Sequence, residues 1–354
     1  MPKVELLDSE EQLKKLDRSG MLAVVAAMPE MLQQARQFSA GVVVPEQPVS
    51  QVIFAGMGGS AIAGDLAADL FYKKAKAPIA TVRGYALPES VNDTTLVIAL
   101  SYSGETEETL GAVKDAEKKG ARVVCITAGG KLREIAEAKK YPVFLLPSGF
   151  QPRAALPFLL VCLLAALEKT GVIPPQEPEL TEAIAQLQRL RAEYKPSKPA
   201  RTNLAKQLAK KLQGKIPFIF GAAGTTGAVA YRAKCQFNEN SKMAAIANVF
   251  PELNHNELVN IGALKKDDNQ FALIVLRDDE DSERVKKRIE ITKSLISRQL
   301  GGVNELSGQG KTALARALSL IYCLDHVSVY LALQQGIDPT PVDIISRLKK
   351  EMMR

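Results

Sequence analysis

The chain has 354 residues, 46% of them apolar and 24% charged, with 46 Lys and Arg against 39 Asp and Glu for a net charge of +7. Such a length suits two globular domains of about 150 residues each. The basic residues are interleaved with acids and there is no Trp, which argues against a nucleic-acid partner, although a modest positive field would still attract a small phosphorylated dianion.

The first twenty residues, "MPKVELLDSEEQLKKLDRSG", mix charges and lack the apolar core of a signal peptide. "SEEQLKKL" has a capping-box start at Ser9 with Gln12, and "MPEMLQQARQF" continues an amphipathic pattern, so residues 1–40 are expected to be a helical segment. An alternation follows. "QVIFAG", "IATVRGY", "TTLVIALS", "RVVCITAG" and "YPVFLLP" read as strands. "SAIAGDLAADLFYKK", "ETEETLGAVKDAEKKG" and "KLREIAEAKK" read as helices. Strands without polar alternation, set between amphipathic helices, predict an α/β fold with a doubly wound parallel sheet and helices on both faces. The ten-residue apolar run "FLLVCLLAAL" at 158–167 is too short to span a bilayer and reads as a buried helix. The expectation is therefore a cytoplasmic protein with no membrane partner.

From 169 to 200, "GVIPPQEPEL" and "AEYKPSKPAR" flank one helical stretch, as a linker would. Beyond it, "KIPFIFGAAGTTGAVAYRAK" and "NQFALIVLRDDEDSERVKKRIEITKSL" repeat the earlier strand–turn–helix forms without repeating their residues. This predicts a first domain over 41–168 and a second, related domain over 201–354 that ends in C-terminal helices. The four cysteines, Cys125, Cys162, Cys235 and Cys323, lie far apart in apolar segments and read as reduced core thiols. With only His255 and His326 available, no typical zinc site can be assembled, and no metal is expected.

Two turns carry the chemistry. "FAGMGGSAIAGD" at 54–65 satisfies a permissive G-x-G-x-x-G/A dinucleotide pattern through Gly56, Gly58 and Ala61. The acid that should follow the second strand is missing, however, for "IATV" runs into Arg83. The turn still offers a helix N-terminus and the Ser60 hydroxyl. "VIALSYSGETEET" then brings Ser101, Ser103 and Thr106 to the end of another strand, in a nest suited to phosphate, though the same residues also suit a plain helix cap. Two such turns at the carboxyl ends of parallel strands favour a phosphate monoester. "SGQGKT" at 307–312 resembles a P-loop, but Glu305 stands where its first glycine belongs. It also reads as lying between helices rather than after a strand.

"GMGGSAIAGD" with "SYSGETEET" resembles the sugar isomerase (SIS) domain. "QPRAA", "FNENSK", "FPELNHNE" and "YLALQQGIDPTPVDIISRLKK" resemble, more narrowly, the bifunctional phosphoglucose/phosphomannose isomerases. The resemblance runs from about residue 45 to the end and implies two flavodoxin-like SIS domains. It implies that Ser60, Ser101, Ser103 and Thr106 hold the 6-phosphate and that Gly58 and Gly59 bring backbone close to the reacting carbons. Arg153 would face the C1–C2 end, Glu239 would be the base, and His255 would open the sugar ring. Family members receive that histidine from the partner subunit, which implies a homodimer. Lys349, with Lys350 adjacent, would complete the site, and Thr340 is the candidate for tolerance of mannose.

The chemistry agrees with these residue types. Ring opening needs a donor that titrates near neutrality, C2 deprotonation needs a positioned carboxylate, and the enediolate needs a cation or N–H groups. No cofactor is required. Each residue also has a plainer reading: Glu239 as a solvated helix-end charge, His255 as a surface or capping histidine, Arg153 as a residue leading into a helix. His326, in "YCLDHVSVYLALQQG", reads as a core histidine. Three rivals stay in view: an SIS protein that only senses a sugar phosphate, an SIS isomerase of another phosphosugar, and a nucleotide-dependent Rossmann enzyme.

Overall fold

The computed structural model describes residues 5–266 and 269–352, so residues 1–4 of the expected N-terminal helical segment lie outside the described residues. The chain groups into two compact units. The first is Met28–Ala185 with Gly310–Ala315, and the second is Met1–Ala27, Gln186–Gln309 and Arg316–Arg354.

Two short helices, α1 (Glu10–Leu16) and α2 (Met21–Ala26), belong to the second unit. Ser9 Oγ accepts from the Gln12 N–H at 3.4 Å, and the Asp17 carboxylate accepts from Met21 and Leu22 N–H at 2.8 Å each. Donors in both first turns thereby find partners.

The first unit runs α3 (Met28–Ser39), β1 (Gln51–Gly56), α4 (Gly58–Phe71), β2 (Ile79–Val82), β3 (Thr95–Leu100), α5 (Glu107–Lys118), β4 (Arg122–Thr127), α6 (Gly130–Lys139), β5 (Val143–Leu145) and α7 (Leu156–Lys169). All strand pairs are parallel, in the order β2-β1-β3-β4-β5. Helices on both faces bury every position of β3, which is why the strand reads as an unbroken apolar run. Strand order reverses between β1 and β3, where doubly wound sheets place their ligands. Gly56 is in register with Leu100 there, so the turns that follow both strands start side by side. The apolar run at 158–167 lies in α7, buried at every residue from Leu156 to Leu164.

α8 (Glu177–Tyr194) lies between the two proline-rich stretches. The second unit continues with α9 (Leu204–Leu212), β6 (Ile216–Ala222), α10 (Gly227–Glu239), β7 (Ile246–Phe250), α11 (Glu257–Gly262), β8 (Phe271–Arg277), α12 (Glu283–Ile296), β9 (Val303–Ser307), α13 (Ala313–Gln334) and α14 (Asp343–Met352). Its sheet is parallel in the order β7-β6-β8-β9. β6, β7, β8 and β9 thus take the places of β1, β2, β3 and β4, and the pseudo-repeat is a repeat of topology. Among the described residues α13 alone is long and apolar enough to cross a membrane, yet 94% of its apolar window is buried inside the fold. The four thiols are free. Burial lifts Cys125 to about 12 and Cys323 to about 11, so both are protonated near neutrality.

One expectation fails. "SGQGKT" does follow a strand, because β9 ends at Ser307. The strand escaped notice because its Glu305 points to partners rather than to a core: it pairs with Arg277 at 2.8 Å and with Lys293. Polar residues on such a strand erase the apolar signature.

Candidate active site

In the first unit, β1 runs out at Gly56 and α4 begins at Gly58, with Met57 extended between them. Gly58 has φ +49°, a left-handed conformation that glycine adopts without strain, and no atom lies within 4 Å of the place a Cβ would take. Gly59 is different. A Cβ there would sit 2.9 Å from Arg153 Cα and 3.0 Å from Arg153 N, so its missing side chain lets the 3-10 turn Pro152–Ala154 lie against α4. The close approach at Gly59 is to the protein's own backbone.

Ser60 is buried and its Oγ accepts from the Tyr102 N–H at 3.2 Å, which ties the first turn to the second. Beyond β3, Ser101 Oγ meets Thr106 Oγ1 at 2.8 Å and accepts from the Gly104 N–H at 3.1 Å. Thr106 stands at the N-cap of α5 without capping it, because its hydroxyl turns to Ser101 instead. Ser103 is exposed on the same turn and accepts from the Glu105 N–H at 3.3 Å. Arg153 is buried, 2% exposed. Gly58, Gly59, Ser60, Ser101, Ser103, Thr106 and Arg153 therefore gather at the carboxyl edge of one sheet.

Sequence reasoning passed over Tyr102. Its hydroxyl donates to Pro147 O at 2.8 Å and accepts from the Phe150 N–H at 3.0 Å, which anchors the segment leading to Arg153. Burial raises its pKa, with the Phe150 bond opposing, so it stays a neutral donor. The signal was its place between two hydroxyl residues just past a strand end.

The matching turn of the second unit is chemically opposite. After β8 come Asp278 to Ser282, and Arg316 of α13 donates to Asp278 at 2.9 Å and to Glu280 at 2.8 Å. Thr225, in the turn before α10, donates to Asp281 at 2.8 Å. Where the first unit offers hydroxyls the second offers carboxylates, already engaged and repulsive to a phosphate.

The remaining candidates belong to the second unit. Glu239 is the last residue of α10 and is half-buried. Seven residues earlier on α10, a buried ion pair, Arg232 to Asp325 at 2.5 Å with both side chains 3% exposed, joins the helix to α13. His255 ends the 3-10 turn Glu252–His255 and is exposed. Its neighbours hold it there: Asn254 donates to Thr292 at 2.9 Å, and Asn256 donates to Glu252 at 3.1 Å. Thr340 is half-buried, with its N–H donating to Asp338 at 3.0 Å, while Lys349 and Lys350 are exposed on α14. His326 is a core residue, 1% exposed. Its Nδ1 lies 2.8 Å from Tyr322 O, and burial lowers its pKa to about 4. Among the described residues no group of three or more His, Cys, Asp or Glu is arranged to hold a metal ion.

A family model described as the SIS domain matches residues 47–141, and one described as the bacterial phospho-glucose isomerase C-terminal SIS domain matches 201–352. A bifunctional phosphoglucose/phosphomannose isomerase from Caldicellulosiruptor bescii is 45% identical over 94% of this chain and 98% of its own. The chain belongs to the bifunctional phosphoglucose/phosphomannose isomerase family. A second isomerase of that name, from Aquifex aeolicus, is 37% identical over 87% of this chain and 92% of its own. The family borders on other chemistry. A D-glucosamine-6-phosphate 4-epimerase from Sulfolobus acidocaldarius is 30% identical over 85% of this chain and 88% of its own.

Proposed function

We propose that this protein interconverts glucose 6-phosphate and mannose 6-phosphate with fructose 6-phosphate through a cis-enediol. The observation that carries the reading is the hydroxyl-lined turn pair of the first unit in a chain 45% identical to a bifunctional isomerase. Ser60, Ser101, Ser103 and Thr106 hold the 6-phosphate, aided by the dipole of α4. Gly58 presents backbone to the sugar, and Gly59 lets the Arg153 turn close on α4. Arg153 faces the C1–C2 end and steadies negative charge on the enediolate oxygen. His255 donates to O5 as the ring opens. Glu239 then moves the proton between C2 and C1, and because deprotonation erases the C2 centre, one base serves both epimers. Lys349 completes the site and Thr340 tolerates the mannose configuration. No cofactor takes part.

The protein works in the cytoplasm as a homodimer, with His255 serving the second copy. The exposure of His255, and the exposed Ile344, Leu348 and Met352 on α14, support that assembly. A coupled assay for fructose 6-phosphate, run from each aldose with and without EDTA, tests the function. Turnover of both sugars in EDTA is expected, whereas activity on neither, or activity restored only by metal, would overturn it. The epimerase relative favours a second reading, action on an amino sugar phosphate. Conversion of glucosamine 6-phosphate faster than of either hexose phosphate would select it.

A further inference from the structure

The motif "FNENSK" contains more than Glu239. Asn240 and Ser241, both fully buried, fasten the end of α10 to α13: Asn240 Nδ2 donates to Ser328 Oγ at 2.9 Å and Ser241 Oγ donates to Ser328 O at 2.6 Å. The next residue, Lys242, has φ +55° and is one of two non-glycine residues with positive φ among those described. Glycine or asparagine ordinarily fills such a position after a helix. A lysine bears backbone strain there, and strain of this kind is retained where the side chain has work to do. The residue is exposed, yet its side chain is tied at the tip. Lys242 Nζ donates to Glu239 O at 2.5 Å and to Pro339 O at 2.9 Å. A long exposed side chain holding two carbonyls gives up rotamer freedom that it would otherwise keep. The two carbonyls belong to the residue proposed as base and to the residue just before Thr340.

We infer that Lys242 is a positioning residue, whose ammonium bridge sets the Glu239 end of α10 against the 338–340 turn and thereby aims the base and governs the choice between the two C2 epimers. The inference rests on the proposed role of Glu239 and adds to it. The ammonium acts on backbone and needs no contact with substrate. A displacement of about 1 Å at a reacting group costs up to roughly a hundredfold in rate, so a tether of this kind is felt in kcat rather than in phosphate binding.

Lys242→Gly separates this role from a merely structural one, because glycine relaxes the positive φ while deleting the tether. The expected result is an unchanged or raised Tm, kcat lowered about tenfold or more, KM held within about threefold, and an altered ratio of glucose to mannose 6-phosphate turnover. Lys242→Arg, which keeps a cation of similar reach, should recover much of the kcat. A glycine variant with wild-type kcat and epimer ratio overturns the inference. So does a loss of kcat that simply follows a lower Tm and is not recovered by arginine. Glu239→Gln, assayed alongside, keeps the two ideas apart: full activity there removes Glu239 as base whatever Lys242 does.

Discussion

At the residue scale the two histidines show how environment assigns chemistry. His326 packs among Tyr194, Tyr322 and Tyr330, with ring centroids 4.5 to 6.3 Å away, and burial holds it neutral down to about pH 4. It is removed from proton traffic near neutrality. His255, exposed at the end of its turn, is accessible to solvent. Glu239 offers the sharpest test at this scale. Glu239→Gln keeps shape and removes the basic oxygen, so kcat should fall roughly a hundredfold to ten-thousandfold for glucose 6-phosphate and mannose 6-phosphate alike. Binding of either sugar phosphate, read by calorimetry, should change little. Loss of one activity with retention of the other would show that the epimers do not share a base.

At the element scale, the helix N-terminus of α4 and the Pro152–Ala154 turn form one object, because Gly59 lets their backbones touch. The atoms facing it belong to backbone and cannot swing aside as the tip of a side chain can. Gly59→Ala should therefore push the turn outward, at about 1–3 kcal/mol of stability by the cost of overpacking. Turnover should fall as well if Arg153 acts where proposed. Thermal unfolding and steady-state kinetics on the same variant check both, and an unshifted Tm would mean that the turn yields without cost. The glycine-rich spacing was plain in the sequence, but its reason was not. Close approach to a ligand and close approach to a later segment of the same chain demand the same residue. The strand β9 escaped for a related reason, since Glu305 earns its place through Arg277 and Lys293, and neither pairing leaves a mark on local periodicity.

At the scale of the whole molecule, the two units share a sheet order and diverge at the turn that matters. Ser101 of the first, one residue past its strand, corresponds in placement to Asp278 of the second, and in that second turn Arg316 and Thr225 occupy the carboxylates of Asp278 and Asp281. The proposed assembly can be tested through function. If His255 serves the second copy, an equal mixture of inactive Glu239→Gln and His255→Ala proteins, refolded together, should regain about a quarter of wild-type activity, because half the dimers are mixed and each has one intact site. A mixture as inactive as its components would place both residues in the same copy, or would mean that no dimer forms.

Much was open to reading in the chain alone. Unbroken apolar strands between amphipathic helices define two parallel α/β sheets, because a strand covered on both faces must be apolar at every position. The motifs from "GMGGSAIAGD" to "YLALQQGIDPTPVDIISRLKK" define the family. What local sequence does not carry is which distant groups meet. Gly59 against Arg153, Ser60 against Tyr102, and Lys242 against Pro339 are meetings of segments 42 to 97 residues apart. Periodicity and turn chemistry report only on neighbours within a turn or a strand. Tertiary packing alone decided those contacts, and through them which glycine is structural and which lysine is tied.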